Sequence, residues 1–307
     1  MEHYYSLNEY CKQNYGEKVY RISLGAATNC PNRDGTCGTG GCAFCSAGGS
    51  GDFAEQGCTD ENFSEQFEKA KGRISAKTKA EKFIAYFQSF TGTHATSEAE
   101  LDHLFRVYEM AAIRPDVAAV SIGTRPDCLG PGVLEKLKKL VAIKPVFVEL
   151  GLQTSNEKTA VEINRCYDNS VYEKAVKELH ALGINVITHI IIGLPGESYD
   201  DWLQSVRFAA EAKTDGLKLQ LLHVLRGTAL EERYNAGEFS TLSMDEYIDA
   251  ICRLLAFVPE DVVIHRLTGD GPKSILISPT WSGDKKRVLN TLNAELNRRN
   301  VKQGSAL

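Results

Sequence analysis

The sequence predicts an α/β protein: a partial (β/α)6 TIM-like barrel with a C-terminal α/β extension. Short apolar runs alternate with amphipathic stretches of helical length six times within the first 240 residues. Runs such as VITHIIIGL and LKLQLLHVL are apolar on both faces, as is typical of parallel strands that helices cover on each side. The 307 residues, 43% of them hydrophobic, are enough to form one large core of this kind.

The predicted elements follow one another in a regular order. The strands are predicted at residues 19–24, 82–90, 117–123, 146–152, 185–194 and 217–224. The helices are predicted at 63–76, 98–112, 132–141, 171–182 and 199–212. A weaker alternation follows, with a helix at 243–257 and a strand at 262–267. We therefore expect a core barrel over residues 15–240 and an extension over 241–307 that packs on it.

The charge pattern limits the classes of partner. A net charge of −5 gives no global basic field that would attract nucleic acid, so an RNA partner must be held locally. Residues 285–287 (KKR), with Arg298, Arg299 and Lys302, form either a solvated helix face or a phosphate contact. No run approaches the ~20 apolar residues of a membrane span, and the polar start is unlike a signal peptide. We expect a cytoplasmic protein without a membrane partner.

Four of the nine cysteines, at positions 30, 37, 42 and 45, lie within one glycine-rich loop that follows the first predicted strand. In a cytosolic chain such thiols indicate metal binding or reactivity instead of disulfides. The pair Cys42–Cys45 is a CxxC, which occurs in zinc knuckles, redox pairs and cluster sites. A zinc site would need a second CxxC or an HxxxH, and the sequence has neither. A thioredoxin-like redox pair would lie at the start of a helix in a different fold pattern. Three thiolates with one open iron remain as the simplest interpretation.

The loop CPNRDGTCGTGGCAFC, residues 30–45, resembles that of the radical S-adenosylmethionine (SAM) superfamily. It is most similar to the branch with the Elongator catalytic subunit Elp3 and the YtqA/YhcC-like (MnmL-type) proteins. That branch has lengthened loops, and here eleven residues separate Cys30 from Cys42. The stretches ELGLQTS, INRCYD and HRLTGD, which begin at residues 149, 163 and 265, are also similar to it. INRCYD has Cys-Tyr where the branch has Gly-His, which puts any role of that histidine in doubt.

The resemblance implies a 4Fe–4S cluster held by Cys30, Cys42 and Cys45, with SAM on the open iron and Phe44 shielding the cluster from water. Cys37 is an alternative first ligand, because its spacing also suits a cluster loop. Cys30 is preferred because Cys-Pro follows the strand directly, as the resemblance implies. Reductive cleavage of SAM would give a 5′-deoxyadenosyl radical that abstracts hydrogen from an unactivated carbon.

Further site residues are expected at the carboxyl ends of the strands, where such barrels gather their active groups. The resemblance places the SAM contacts at Gln88, Ser89, Thr91, Glu149, Gln153, Gly193 and Pro195. His223 and the nearby Arg226, after the sixth strand, are the candidate catalytic residues. Arg125 and Asp127 form either a turn with an ion pair or a part of the site.

The resemblance also implies a substrate, the tRNA anticodon loop. The implied step converts a carboxymethylaminomethyl group on C5 of the wobble uridine to aminomethyl, with an electron donor such as flavodoxin or ferredoxin. A wobble base is single-stranded and can enter a pocket without melting a duplex. The alternatives are a radical SAM enzyme acting on a small metabolite or tetrapyrrole, and a non-enzymatic iron–sulfur or zinc sensor.

Overall fold

The computed structural model describes residues 3–76, 78–269 and 271–307, and its centre is a sheet of eight parallel strands. The strand order is β2-β1-β3-β4-β5-β6-β7-β9, and β8 pairs with β10 in a separate antiparallel ribbon. The strands are β1 (Tyr20–Gly25), β2 (Glu55–Gln56), β3 (Phe83–Phe87), β4 (Val117–Thr124), β5 (Val146–Gln153), β6 (Asn185–Ile192), β7 (Gly216–Leu221), β8 (Val224–Leu225), β9 (Val263–Arg266) and β10 (Leu276–Ser278). The predicted parallel, partial barrel is confirmed.

Ten helices lie within the described residues and cover the outer face of the sheet or its ends. They are α1 (Leu7–Tyr15), α2 (Phe63–Ser75), α3 (Glu98–Ala112), α4 (Pro131–Val141), α5 (Glu157–Glu162), α6 (Asn169–Ala181), α7 (Tyr199–Glu211), α8 (Ala229–Asn235), α9 (Met244–Leu255) and α10 (Lys285–Arg299). Local sequence fixes several starts: the Ser97 and Asp168 side chains cap α3 and α6, and Ser243 forms a capping box with Glu246 at α9. None of these helices is long and apolar enough to cross a membrane.

The main core lies between the outward faces of the strands and the surrounding helices. Alternate residues of each strand, such as Ile22 and Leu24 on β1 and Val148 and Leu150 on β5, point into it. The other residues of the same strands point into the barrel, because side chains alternate across a strand. Six predicted strands and five predicted helices therefore appear where the apolar patterns placed them, with ends within about three residues.

Helix α1 closes the amino end of the barrel, which the sequence had indicated only as a polar lead-in. Cys11 on α1 packs with Ile84, Phe147 and Ile187 from the strand interiors in a small second core. Ser6 caps the helix by accepting a hydrogen bond from the backbone of Glu9 at 3.2 Å. Helix α1 thus packs across this end of the barrel.

The C-terminal extension is part of the same sheet. Strand β9 pairs with β7, and the amide of Ile264 donates to the Tyr5 carbonyl oxygen at 2.7 Å. Helix α10 buries Val288, Leu292 and Leu296 on one face. The extension therefore packs on the barrel as expected, while the division at residues 240 and 241 stays a prediction.

Candidate functional site

The cysteine loop, residues 30–45, crosses the carboxyl edge of the sheet after β1. The Asn29 side chain accepts a hydrogen bond from the Cys30 amide at 2.8 Å, and the Asn29 carbonyl oxygen accepts one from the Thr91 amide at 3.2 Å. Arg33 donates to the Ser46 carbonyl oxygen at 2.6 Å. A loop too rich in glycine for regular structure is therefore held at defined points, by polar contacts to the end of β3 and to itself.

The thiols of Cys30, Cys42 and Cys45 face one another closely enough to interact electrostatically. Burial raises the pKa of Cys42 to about 12, and the neighbouring Cys45 and Cys30 thiols add to this rise. Burial also raises the pKa of Cys45, with Cys30 contributing in the same direction. The raised pKa values favour neutral thiols, and binding a metal group would remove their protons, since thiolates are the ligands.

Among residues 3–76, 78–269 and 271–307, no group of three His, Cys, Asp or Glu side chains is arranged to hold one metal ion. In a 4Fe–4S cluster each thiolate binds a different iron. The assignment of Cys30, Cys42 and Cys45 as cluster ligands stays a prediction.

Cys37 lies at the exposed side of the same loop. Its sulfur accepts a hydrogen bond from the Arg125 guanidinium at 3.5 Å, and its amide donates to the Pro31 carbonyl oxygen at 2.9 Å. Arg125 also pairs with Asp127 at 2.7 Å and stacks on the Tyr167 ring at 4.9 Å. The predicted turn ion pair is thus present, and the same arginine places a positive charge beside the cysteine loop.

The INRCYD stretch, residues 163–168, packs against the cysteine loop and holds it by hydrogen bonds. This role was not predicted from the sequence. Asn32 is fully buried, and its amide donates to the Asn164 carbonyl oxygen at 2.5 Å and approaches the Cys42 sulfur at 3.6 Å. Arg165, also buried, donates to the Leu152 and Thr154 carbonyl oxygens at 3.1 and 2.7 Å. The loop that holds the thiols is therefore tied to the end of β5.

The predicted SAM contacts after β3 lie directly under the cysteine loop. Ser89 and Thr91 are buried, and Gln88 is partly exposed. The Ser89 hydroxyl has no hydrogen-bond partner within the described residues. A Cβ atom at Gly25 would lie only 2.5 Å from that hydroxyl, so glycine leaves the space around it open. A buried hydroxyl without a partner suits a polar group of a bound ligand.

The ends of β5 and β6 carry the remaining predicted SAM contacts. Gln153 has a positive φ of 67° and folds over Gly151, where a Cβ would meet its amide nitrogen at 2.5 Å. Gly193 has a φ of 94°, which favours glycine, and Pro195 is buried after it. These residues lie at the same carboxyl edge as the cysteine loop, and whether they contact SAM stays a prediction.

Glu197 follows the Gly193–Pro195 turn after β6 and is partly buried. One of its carboxylate oxygens accepts a hydrogen bond from the Thr154 hydroxyl at 2.5 Å, and the other has no partner among the residues described. Burial raises the pKa of Glu197 to about 7, with the nearby Asp201 adding to the rise. The Glu197 side chain therefore links the segments that follow β5 and β6. Its carboxyl group is partly protonated near neutral pH.

The two candidate catalytic residues occupy different surroundings. The His223 ring lies beside Gly269 and Gly271, and its Nε2 is 3.0 Å from the Ser282 hydroxyl. The Arg226 side chain is exposed, while its amide donates to the Ile275 carbonyl oxygen at 2.8 Å. His223 therefore packs against the extension, close to the HRLTGD stretch, whose Asp270 lies outside the described residues. A catalytic role for either residue stays a prediction.

Glu149 lies deeper in the barrel, within a group of charged side chains that we call the charged layer: Arg21, Glu149, His189 and Lys218. The Glu149 carboxylate is 0% exposed; it pairs directly with Lys218, lies 3.3 Å from Arg21 and accepts a hydrogen bond from His189 at 2.8 Å. The Ser121 hydroxyl donates to it at 2.8 Å. The carboxylate therefore has protein partners on several sides, and its predicted contact with SAM is untested.

The charged layer was not apparent as a unit in the sequence, because its members come from four strands. Burial acts to raise the pKa of Glu149, but Lys218 and Arg21 hold it well below its usual range. Burial lowers the pKa of Lys218, and the charge of Arg21 lowers it further. Burial, with the charge of Lys218, lowers the pKa of His189 to about 4, so His189 is the neutral donor to Glu149.

Apolar side chains line the site on the side of β6 and β7. Phe44 packs against Ile191, Leu194, Leu222 and Leu230, which come from the ends of these strands and from α8. The ring of Phe44, which lies between Cys42 and Cys45 in the sequence, is thus part of an apolar surface beside the loop. This agrees with the expected shielding of a cluster from water.

A cavity of about 650 Å³ opens at the other end of the barrel. It is lined by Tyr5, Tyr10, Phe147 and Asp215 among others, which lie near α1 and the amino ends of the strands. In parallel α/β folds the reacting groups gather at the carboxyl ends, where the cysteines are. We therefore locate the candidate active site at the carboxyl edge.

Comparisons with known proteins agree with this geometry. The family model for the Radical SAM superfamily matches residues 30–209, and that for the Radical_SAM C-terminal domain matches residues 214–298. The Bacillus subtilis protein YtqA is 42% identical over 301 residues, which cover 98% of this chain and 92% of YtqA. The Escherichia coli protein YhcC is 32% identical, over 96% of this chain and 92% of YhcC.

One solved structure with the same fold is that of the archaeal Methanocaldococcus infernus Elp3 with an N-terminal deletion. It superposes with a TM-score of 0.66 at 18% identity. The match covers 79% of this chain and 60% of that one. At this identity the likeness shows a shared fold.

Proposed function

This chain belongs to the radical SAM superfamily, and from that premise we propose that it converts the carboxymethylaminomethyl group of the tRNA wobble uridine to aminomethyl. The chain is a radical SAM enzyme whose cofactors are a 4Fe–4S cluster and SAM, so the sensor alternative is wrong. When bound, these cofactors supply a 5′-deoxyadenosyl radical that removes hydrogen from an unactivated carbon.

The chain's own residues hold and shield the cofactors in this proposal. Cys30, Cys42 and Cys45 bind the cluster, and the positive charge of Arg125 stabilises the Cys42 thiolate. The Ser89 hydroxyl binds a polar group of SAM. Phe44 and its apolar neighbours exclude water, which would otherwise react with or quench reactive species.

The overall reaction balances with SAM as the two-electron acceptor. SAM, water and the carboxymethylaminomethyl group give the aminomethyl group, glyoxylate, methionine and 5′-deoxyadenosine. The carbon–nitrogen bond to the two-carbon acid is the bond that breaks, and water supplies the aldehyde oxygen. A donor such as flavodoxin or ferredoxin would supply the electron that starts a turnover, and oxidation of the substrate radical would return it, so that no external electron is consumed overall.

The observation that supports the tRNA assignment is the nearly full-length similarity to YtqA and YhcC, taken with the wobble-uridine chemistry that the sequence resemblance implies. The C-terminal helix offers only a small basic surface for RNA. Arg298 and Arg299 are engaged in ion pairs with Glu295, and Arg299 also with Asp249, whereas Lys286 and Arg287 are exposed. A phosphate contact is therefore better sought at the start of α10 than at its end.

Mass spectrometry of tRNA nucleosides tests the proposal. Cells that lack the protein should accumulate the carboxymethylaminomethyl nucleoside and lose nucleosides that derive from the aminomethyl form. Complementation with the wild-type gene should restore the profile, and the Cys30→Ser variant should not. An unchanged wobble-uridine profile would remove the tRNA substrate while leaving the enzyme class intact.

A further inference from the structure

The interior of the barrel contains more positive than negative charge. Three cationic side chains, Arg21, Lys218 and Arg266, accompany one carboxylate, that of Glu149. Arg21 and Lys218 pair with it, and Arg266 is the cross-strand neighbour of Lys218. His189 does not add to the positive charge, because it is the neutral donor to Glu149. His265 is also neutral, since its Nδ1 accepts a hydrogen bond from Arg21 at 2.6 Å and burial lowers its pKa well below the usual range.

A β-bulge in β9 places Arg266 beside Lys218. The register shifts between the pairs Leu217–Ile264 and Lys218–Arg266, so His265 is the extra residue of a β-bulge. Arg266 is consequently the cross-strand partner of Lys218 and lies on the same face. Its charge helps to lower the pKa of both Lys218 and His189, as expected of a cation inside the barrel.

The Arg266 guanidinium differs from the other interior charges in having no partner. Arg21 and Lys218 both pair with Glu149, whereas Arg266 makes no hydrogen bond or ion pair with any residue that the structure describes. It is only partly exposed. Because the guanidinium is partly exposed and has no protein partner, an anionic ligand can reach it and bind to it.

A guanidinium can bind both oxygens of a carboxylate at once, because its planar donors match that geometry. Arg266 is the last residue of β9 and so lies at the carboxyl edge of the sheet, which also carries the cysteine loop. We propose that Arg266, with Lys218 beside it, binds a carboxylate of the substrate inside the barrel. This inference rests on the proposed function, whose substrate group ends in a carboxylate.

The test uses two anticodon stem–loop RNAs that differ in one charge. One carries carboxymethylaminomethyl at the wobble uridine, and the other carries the carboxamide in place of the carboxylate. Binding to the SAM-loaded holoenzyme is measured by fluorescence anisotropy without reductant, so no turnover occurs. The wild type should bind the carboxylate RNA about 10- to 100-fold more tightly, the range of a hydrogen-bonded charge.

Two variants assign this preference to Arg266. Arg266→Gln should bind both RNAs equally, and Arg266→Lys should keep part of the preference. The melting temperature of Arg266→Gln should equal or exceed that of the wild type, because an unpaired cation is removed. Equal binding of the two RNAs by the wild type would overturn the inference, as would a destabilised Arg266→Gln that keeps the preference.

A second probe separates this inference from the proposed function. If the wild type binds neither RNA and makes no product from tRNA, the proposed function fails. The interior site is then tested with N-benzylglycine against N-benzylglycinamide, which carry the same amine with and without a carboxylate. Only the carboxylate should raise the melting temperature of the holoenzyme, and only when Arg266 is present; equal shifts from both compounds would overturn the inference.

Discussion

Replacing Glu149 by glutamine removes the one negative charge of the charged layer without changing its size. Glu149 is 0% exposed and Lys218 1% exposed, so solvent cannot replace the lost interaction. His189 and Ser121 bond to different carboxylate oxygens, so the amide oxygen of glutamine can accept from His189 while the Ser121 hydroxyl accepts from the amide nitrogen. The substitution therefore tests charge and not packing.

The expected loss is about 3–5 kcal/mol in the free energy of unfolding, the cost of leaving a buried charge without its partner. Lys218 limits the loss, because burial already lowers its pKa and it can lose its proton once Glu149 is gone. The double variant Glu149→Gln with Lys218→Met should recover at least about 2 kcal/mol, since buried pairs are often replaced by apolar groups at little cost.

Anaerobic urea unfolding of the holoenzyme, followed by far-ultraviolet circular dichroism, measures these changes. Glu135→Gln is the matched control, because its partner Lys139 lies at the surface of α4 and the pair is exposed. That variant should unfold like the wild type. A Glu149→Gln protein within about 1 kcal/mol of the wild type would refute the argument that this carboxylate neutralises the layer.

Three further predictions concern the carboxyl edge. Cys37→Ser should keep the cluster absorbance and SAM cleavage of the reconstituted enzyme, whereas Cys30→Ser should lose both; the reverse result would make Cys37 the ligand. Because burial raises the pKa of Glu197 to about 7, the stability it contributes is present below about pH 4.5 and is lost as the pH rises through 7, by at most about 3 kcal/mol. Unfolding of Glu197→Gln should lack this loss, and an equal pH profile in both proteins would contradict it. Gly151→Ala should displace the Gln153 side chain and weaken SAM binding about tenfold in equilibrium dialysis, the worth of one hydrogen bond, whereas Gly132→Ala, with open space around it, should not; unchanged binding would remove Gln153 from the SAM site.

The repeated apolar strands and amphipathic helices could be predicted from sequence because each depends on a local period. Strands such as β6, apolar on both faces, and helices such as α3, with a serine cap and a regular buried face, carry this information within a few residues. Helix α1 was missed because its sequence is mostly polar and its buried residues are set by the barrel end that it closes. The short strands β2, β8 and β10 were missed because pairing partners decide them.

The candidate site was likewise predictable from the sequence only in part. The spacing of the cysteines and the strand-end motifs identified the family, which the family models confirm. The bracing of the cysteine loop by Asn32 and Arg165 could not be predicted, because their partners lie on segments distant in sequence. The residues that contact SAM are still predictions.

The sequence alone determined that Cys30, Cys42 and Cys45 share one loop after a strand, since spacing along a chain is a local property. Only the tertiary structure brought Arg21, Glu149, Lys218 and Arg266 together, because they lie on four strands, and the first and last of them are 245 positions apart (266 − 21). Each of these residues taken singly is an ordinary charged residue in a strand. The excess of positive charge arises only when these residues come together in the fold. A charge that is taken out of water is stable only beside a partner of opposite charge.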